Sequence, residues 1–208
     1  MQTPVFLVLL GSFLLSSCAA NPRIVDENEE GFAIYRSGRL TGRELASLCA
    51  AGVRELIVLS GTADRRECRY RDQFCPNLKI RYDNRQLVNK PVSASFLGAF
   101  VDWIEEARDS NKKIAIRCKK GWHRTGRLAA FYRMAFNNRS STEAISEMYD
   151  RGRFMWMYPG LRGQVKAYEG HLRRDVCSDP TTCVSQTPEP GLVDAQGQPT
   201  FRQDMCNE

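Results

Sequence analysis

The stretch that decides the fold of this 208-residue chain runs from residue 116 to residue 126: Ile116-Arg117-Cys118-Lys119-Lys120-Gly121-Trp122-His123-Arg124-Thr125-Gly126. A short apolar strand ends at the cysteine, five residues form a tight loop, and Arg and Thr then open a helix. The backbone N–H groups of such a loop point inward and bind the oxygens of a phosphate group. The stretch therefore predicts a phosphate-binding loop with a built-in nucleophile.

Four residues of this loop have side chains or backbone suited to phosphoryl transfer. The positive end of the following helix lowers the pKa of the Cys118 thiol, so we expect a thiolate at neutral pH. Arg124 offers a planar guanidinium that grips two oxygens of the transition state. Thr125 can donate a hydrogen bond to the thiolate, and Gly121 relieves the backbone where the loop turns. The alternative, a buried cysteine near an unrelated arginine, does not explain the surrounding strand, loop and helix.

Strands and helices alternate on both sides of the loop. The apolar run Leu56-Ile57-Val58-Leu59 is typical of a buried parallel strand, and Thr41 with Glu44 has the spacing of a helix capping box, as does Ser140 with Glu143. The alternation predicts an α/β fold with a mostly parallel central sheet flanked by helices. We expect strands at 32–36, 55–60, 78–82 and 114–116, helices at 41–51, 93–107, 128–136 and 161–174, and a polar loop around Cys68 and Cys75.

The loop resembles the Cys-x5-Arg-Ser/Thr signature of protein-tyrosine-phosphatase-type cysteine phosphatases. Tyr35-Arg36-Ser37-Gly38 also resembles a motif of the compact bacterial and inositol-phosphate members, including the phytase group of this family. The resemblance covers residues 32–174 and implies a phosphomonoesterase with a phosphocysteine intermediate and no metal or other cofactor. One position departs from the family, which has His before the nucleophile where this chain has Arg117. A cation there could still support the thiolate and contact substrate.

The resemblance also implies a general acid and a water-positioning residue. The family takes an Asp from a loop some thirty to thirty-five residues before the nucleophile, and Asp83 lies at that distance. Asp83 is therefore expected to protonate the leaving oxygen, with Asp64 as the alternative. Gln164 lies near the position where several relatives keep a glutamine that orients water.

The substrate is expected to be a phosphate ester with several negative charges. Lys119 and Lys120, with Trp122 and His123 beside them, resemble the basic loops of phosphatases that act on inositol phosphates. An inositol polyphosphate such as phytate is therefore the first hypothesis. A tyrosine or dual-specificity protein phosphatase is the enzymatic alternative. A catalytically silent phosphate-binding lipoprotein is a further one, suggested by Arg117 and by the open choice of general acid. A rhodanese-like sulfurtransferase fits the loop less well.

The charge of the chain is concentrated near this loop. The formal net charge is +6, and residues 111–139 hold nine basic residues and no acidic one. A hydrophobic fraction of 42% and a charged fraction of 26% exclude a disordered, collagenous or polytopic membrane chain. No nucleic-acid-binding motif accompanies the basic charge, so a nucleic-acid partner is not expected.

The amino-terminal residues predict export and a lipid anchor. Residues 1–17 carry no charged side chain and include an apolar run too short to span a bilayer, which is typical of a signal peptide. Leu15-Ser16-Ser17-Cys18-Ala19 resembles a bacterial lipobox. Lipidation of Cys18 would hold the protein at the membrane, on the periplasmic side and by resemblance at the outer membrane of a Gram-negative bacterium. An ordinary signal peptide is the alternative.

The remaining cysteines and the chain ends complete the expected organisation. Residues 18–31 are polar and suit a tether, 32–174 form the phosphatase domain, and 175–208 form an irregular tail rich in Pro and Gly. In an oxidising compartment we expect disulfides Cys68–Cys75 and Cys177–Cys183. Cys49 is expected to be a small buried apolar residue, and Cys118 to stay unpaired.

Overall fold

The computed structural model describes residues 22–59, 65–82, 92–173 and Cys206. They form one α/β unit, as the alternation predicted. Its strands are β1 Arg23–Glu27, β2 Ala33–Ser37, β3 Val53–Val58, β4 Lys79–Tyr82 and β5 Lys113–Arg117. Its helices are α1 Gly42–Ala50, α2 Arg65–Phe74, α3 Ala94–Asp109, α4 Arg124–Asn137, α5 Ser141–Arg151, α6 Pro159–Ala167 and α7 Glu169–Leu172, with a short 3-10 helix at Met155–Met157.

The sheet has five strands in the order β1-β2-β5-β3-β4. Strand β5 lies at its centre and pairs in parallel with β2 on one side and β3 on the other. The central position follows from its sequence, because Ile114, Ala115 and Ile116 are all buried and only an apolar strand tolerates helices on both faces. The sheet is therefore mostly parallel, and β1 is its one antiparallel strand in the described part of the chain.

Helices cover both faces of the sheet and bury two separate cores. Helices α1 and α2 pack on one face, over Leu56, Val58 and Ile80 among others. Helices α3 to α7 pack on the other, over Ile57, Ile114 and neighbouring residues. None of the helices in the described ranges is long and apolar enough to cross a membrane.

Both predicted capping boxes are present. Thr41 and Glu44 cap α1 reciprocally, and Ser140 and Glu143 do the same for α5. In each pair the hydroxyl accepts from the backbone of the glutamate while the carboxylate accepts from the backbone of the capping residue. Such boxes form from four consecutive residues, which is why the sequence was sufficient to predict them.

Three elements differ from the sequence-based expectation. Strand β1 lies inside the predicted tether, held where Arg133 donates to the Val25 carbonyl and Tyr132 donates to Asp26. Helix α2 replaces the predicted polar loop, and the predicted final helix is two helices, α6 and α7. The α2 pattern was missed because its buried positions include Glu67 and Arg71, so no apolar stripe marks the inward face.

The disulfide pairing also differs from the expectation. Cys75 pairs with Cys49, not with Cys68, and Cys68 pairs with Cys206. Cys75 directly follows α2 and Cys49 lies in the last turn of α1, so packing of the two helices decides this bond. Cys118 is free, as expected. The predicted Cys177–Cys183 bond lies outside the described residues.

Candidate active site

The predicted phosphate loop lies at the carboxyl edge of the sheet, between β5 and α4. Strands β2 and β3 flank β5 and end at the same edge, at Ser37 and Val58. Helix α4, which follows β5, packs on the face of the sheet opposite to α1 and α2, the helices that follow β2 and β3. This divergence opens a crevice at the end of β5. Crevices of this kind are where open α/β sheets bind their ligands.

Strand β2 and the residues after it hold the loop by three hydrogen bonds. The Cys118 N–H donates to the Ser37 carbonyl at 3.4 Å, and the Arg39 N–H donates to the Lys119 carbonyl at 3.3 Å. The buried guanidinium of Arg36 donates to the Gly121 carbonyl at 2.8 Å. Burial lowers the pKa of Arg36 to about 10, so the side chain stays charged at neutral pH. The Tyr35-to-Gly38 motif thus clamps the loop.

Gly121 is the position at which the loop can accept no side chain. Its φ is +73°, and a Cβ there would lie 2.7 Å from both the Ser37 carbonyl carbon and the Gly38 nitrogen. These are backbone atoms of the clamping segment and cannot move aside. The predicted role of Gly121 in the turn is therefore accounted for by both its conformation and the close approach of β2.

The Cys118 sulfur is enclosed by hydrogen-bond donors. Its side chain is 4% exposed, and the Gly121 N–H donates to Sγ at 3.2 Å. Burial raises the pKa of the thiol, but hydrogen bonds from the Thr125 hydroxyl and from the backbone of Thr125, Lys120 and Gly121 outweigh it, so the pKa is lowered. The Thr125 hydroxyl is buried without a hydrogen-bond partner among the described groups, so its proton is available to the Cys118 thiolate. The site thus favours a thiolate.

Arg124 begins α4 and reaches across the crevice. One terminal nitrogen donates to the Leu59 carbonyl at 2.6 Å, which ties the side chain to the end of β3. Its buried Nε has no partner among the described atoms. A guanidinium that is held by one N–H group and has another N–H group available is suited to bind a phosphate oxygen. The geometry is consistent with the predicted role.

Arg117 has a different place from the predicted one. The guanidinium is completely buried and forms an ion pair with the equally buried carboxylate of Glu67 on α2. Consecutive residues of a strand point to opposite faces, so Arg117 faces the α1 and α2 side whereas Ile116 faces the α4 side. The prediction that Arg117 contacts substrate is therefore wrong. Arg117 instead joins β5, the strand before the nucleophile, to α2.

Trp122 and His123 contact the segment that follows α5. The Trp122 ring lies 6.2 Å from that of Phe154, with the Arg153 guanidinium 5.8 Å from the Trp122 centroid. His123 Nε2 lies 3.1 Å from the Arg153 carbonyl and donates to it. Burial, with the Arg124 charge, lowers the pKa of His123, so the ring is neutral at pH 7. His123 therefore adds no full positive charge to the loop.

The structure brings only some of the other predicted site residues close to Cys118. Lys119 and Lys120 are exposed beside the buried nucleophile. The Gln164 amide oxygen accepts from Arg127 at 2.7 Å and from the Val92 N–H at 3.3 Å. Gln164 thus holds the start of α3 to α4, and a role in orienting water stays a prediction. Asp83 and Asp64 lie outside the described residues.

Two residues that shape the site, Arg36 and Glu67, received no role from the sequence, although Arg36 belongs to the Tyr35-to-Gly38 motif. Arg36 had a signal, because it ends a strand that runs parallel to β5 and must therefore reach the same edge. Glu67 had none, since a glutamate in a polar stretch predicts solvent exposure. Among residues 22–59, 65–82 and 92–173, no three His, Cys, Asp or Glu side chains form a group that could hold a metal ion.

A comparison with family models decides the family. The model of the dual specificity phosphatase catalytic domain matches residues 62–171, more than half of the chain. The chain belongs to the dual specificity phosphatase family. This dual specificity phosphatase is accordingly a cysteine phosphatase that hydrolyses phosphoric monoesters. The family resemblance seen in the sequence is confirmed at this level.

Solved structures show the same fold at low identity, whereas no curated protein matches this dual specificity phosphatase. P. aeruginosa TpbA is 22% identical, with 70% of this chain and 86% of that chain covered and a TM-score of 0.51. The catalytic core of the PP-IP phosphatase SIW14 from S. cerevisiae is 19% identical, with 80% and 96% covered and a TM-score of 0.59. PTPMT1 in complex with PI(5)P is 13% identical, with 74% and 98% covered and a TM-score of 0.57.

Proposed function

We propose that this phosphatase is an exported, lipid-anchored enzyme that removes phosphate from inositol polyphosphates. The observation that carries the substrate class is the pair of exposed lysines, Lys119 and Lys120, directly after the buried Cys118 in the active-site loop. They stand in the stretch that carries nine basic residues and no acidic one, 111–139. A ligand with several phosphates gains from cations around the one that reacts.

The first chemical step forms a phosphocysteine. The Cys118 thiolate attacks phosphorus in line with the leaving oxygen, so a sulfur–phosphorus bond forms as the phosphorus–oxygen bond breaks. Arg124 and the loop N–H groups stabilise the charge that collects on the equatorial oxygens. Asp83 gives its proton to the departing alcohol.

The second step returns the enzyme to its starting state. A water molecule loses a proton to the Asp83 carboxylate and attacks phosphorus. The sulfur–phosphorus bond breaks, inorganic phosphate leaves, and Cys118 regains its electron pair as a thiolate. The Thr125 hydroxyl supports that thiolate as leaving group, which is the same hydrogen bond that lowers its pKa.

Two structural relatives support the substrate class without establishing it. SIW14 is described as a PP-IP phosphatase, and PTPMT1 has been seen in complex with PI(5)P. Both share this fold. These descriptions suggest that an inositol phosphate fits the crevice of this architecture, and the basic loop of this chain provides the complementary charge.

The decisive experiment compares substrates on the full chain. We expect faster phosphate release from inositol hexakisphosphate than from a phosphotyrosine peptide at equal concentration. Cys118→Ser should remove activity on both because a hydroxyl at this site is a far weaker nucleophile. Retained activity in Cys118→Ser would exclude the mechanism, and comparable or faster turnover of the peptide would exclude the preferred substrate.

A matched pair of variants tests the lysines. Lys119→Gln with Lys120→Gln should lower kcat/KM for inositol hexakisphosphate by about tenfold or more, and for para-nitrophenyl phosphate much less. The control is Lys112→Gln with Lys113→Gln, which removes equal charge at the opposite end of β5. Equal losses in the two double variants would show that the effect is one of net charge.

The second candidate function is a tyrosine or dual-specificity protein phosphatase. The family match favours it, since the matching model is that of the dual specificity phosphatase catalytic domain. The substrate comparison above separates the two candidates. The silent phosphate-binding alternative was suggested by Arg117 and by the general acid, for which Asp83 and Asp64 were both candidates. The ion pair with Glu67 accounts for Arg117, and the family match supports an active enzyme.

The anchoring part of the proposal rests on the lipobox-like stretch that ends at Cys18. It places the enzyme on the periplasmic side of a Gram-negative envelope, at the outer membrane. Cells expressing the full chain should incorporate labelled palmitate into it, and Cys18→Ala should abolish the labelling. Labelling that survives Cys18→Ala would place the anchor elsewhere.

A further inference from the structure

The chain enters the domain at the edge of the sheet that carries the active site. Strand β1 runs antiparallel to β2 with Arg23 opposite Arg36, the residue whose side chain clamps the Gly121 carbonyl. Cys18 precedes Arg23 by five residues, which span at most about 18 Å. An anchor on Cys18 would therefore hold the active-site edge, rather than the opposite one, close to the membrane.

The same edge exposes large apolar side chains. Trp156 is 72% exposed, Phe154 56% and Met157 54%. Of the six large hydrophobic residues that are exposed in the described ranges, five belong to this edge: these three, Tyr149 at the end of α5 and Ile24 at the start of β1. Scattered single residues would be unremarkable on a soluble domain, but a cluster beside an active site indicates an interaction surface.

The fold holds these side chains outward. Met155 is buried between them and anchors the 3-10 helix, and Phe154 has a φ of +57°, a conformation that bulky residues rarely adopt. The segment is attached to the active-site loop through the Trp122–Phe154 contact and the His123–Arg153 hydrogen bond. The exposed apolar cluster and the nucleophile loop therefore form one surface.

Basic side chains stand in the same two stretches of sequence as the cluster and the active-site loop. Lys119, Lys120, Arg151 and Arg153 are all exposed, and Asp150 is the one acidic residue in the stretches 117–124 and 149–158. Trp and Phe beside Lys and Arg are the composition of protein surfaces that lie in the headgroup region of anionic membranes. Each of the three apolar side chains of residues 154–157 that face outward is more than half exposed, whereas a peptide partner would be expected to bury its contacts in a groove.

We propose that residues 154–157, with Lys119 and Lys120, dock the active-site edge on the surface of an anionic phospholipid bilayer. The inference rests on the proposed function for the anchor at Cys18, which supplies the short tether. Docking would orient the crevice toward phosphate esters held at or near the membrane surface, in addition to soluble ones.

The test uses the full chain purified from membranes and reconstituted in vesicles that contain phosphatidylglycerol with brominated acyl chains. Bromine quenches tryptophan fluorescence only on close approach. We expect quenching that Trp156→Phe reduces by at least half, because Trp103 is buried and Trp122 half-buried. The control Phe74→Ser, which alters an exposed aromatic on α2, should quench like the unaltered chain.

The outcomes separate docking from the proposed function. Protein that floats with the vesicles but is not quenched would overturn docking while leaving the anchor intact, and a response of Trp156 to a phosphotyrosine peptide instead would assign the surface to peptides. Equal quenching in neutral phosphatidylcholine vesicles would contradict the anionic preference. If the unaltered chain is quenched but does not hydrolyse inositol hexakisphosphate, the result would count against the proposed substrate and support docking.

Discussion

The Cys118 sulfur is almost completely buried, so each hydrogen bond to it has a large effect on the pKa of the thiol. Burial alone would raise the pKa of the thiol, and the donors of the loop reverse that effect. The Thr125 side chain is the largest of the lowering contributions. A residue adjacent to Arg124 thus makes the largest single contribution to lowering the pKa of the nucleophile.

Removing the Thr125 hydroxyl should shift the pH profile of the enzyme. Thr125→Val keeps the shape of the side chain but no longer stabilises the thiolate, so the pKa of Cys118 rises. The acid limb of kcat/KM for para-nitrophenyl phosphate, which reports thiolate formation, should therefore move to higher pH. Thr125→Ser retains the hydroxyl and should keep the original limb. Superimposable profiles for the Val variant and the unaltered chain would contradict this assignment.

Gly121 offers a second test at the residue scale. Gly121→Ala would push a Cβ into the Ser37–Gly38 backbone, so the loop must leave its place against β2. We expect kcat/KM to fall by at least about a hundredfold, because misplacement of reacting groups by about 1 Å costs that much. Gly98→Ala, in α3 where a Cβ meets nothing within 4 Å, should leave activity unchanged. An active Gly121→Ala enzyme would show that the clamp is dispensable.

Helix α2 packs on the sheet mainly through polar residues and disulfides, which is unusual for a helix that covers a sheet. Its inward face carries Glu67 and Arg71 rather than an apolar stripe. Its ends are tied by disulfides, through Cys68 to Cys206 and through Cys75 to Cys49. An ion pair with Arg117 then fixes the helix to the strand that delivers the nucleophile. The helix is held by specific bonds more than by burial of apolar surface.

Breaking that ion pair should be costly to stability. Glu67→Gln removes the buried carboxylate that pairs with the Arg117 guanidinium, and we expect the free energy of unfolding to fall by about 3–5 kcal/mol in urea titrations. Glu106→Gln breaks the exposed pair with Lys112 and should cost at most about 1 kcal/mol. A Glu67→Leu, Arg117→Met double variant should recover most of the loss. Equal, small effects for Glu67→Gln and Glu106→Gln would show that the buried pair is unimportant.

At the scale of the whole molecule, charge is distributed unevenly. The basic stretch 111–139 contains more positive charge than the net +6 of the chain, so the remainder is acidic on balance. The fold brings Lys119, Lys120 and Arg124 from this stretch to the carboxyl edge of the sheet. An anionic substrate is therefore attracted to one side of the protein.

Salt should weaken this attraction in proportion to substrate charge. Raising ionic strength from about 0.05 M to about 0.5 M shortens the screening length well below 10 Å. We expect kcat/KM for inositol hexakisphosphate to drop several-fold and that for para-nitrophenyl phosphate to change little. Equal salt dependence for the two substrates would argue against electrostatic attraction of the substrate by the basic residues near the active site. Steady-state rates across a salt series provide the measurement.

Local patterns were enough to predict much of the fold. The phosphate loop, both capping boxes and the buried parallel strands follow from a few consecutive residues, because turns, caps and strand patterns depend on near neighbours. Strand β1 and helix α2 were missed for the same reason. Their sequences are polar, and what stabilises them lies elsewhere in the chain, in Tyr132 and Arg133 for β1 and in Arg117 for α2.

The amino-acid sequence alone therefore predicted the α/β class, the family and a phosphate-binding loop from Cys118 to Thr125. The partners of that loop became known only from packing. Glu67 lies 50 residues from Arg117, Arg36 lies 85 from Gly121, and Cys68 lies 138 from Cys206. Ion pairs, hydrogen bonds and disulfides require particular distances and directions, and many pairings satisfy the same local pattern until the helices and strands are packed together.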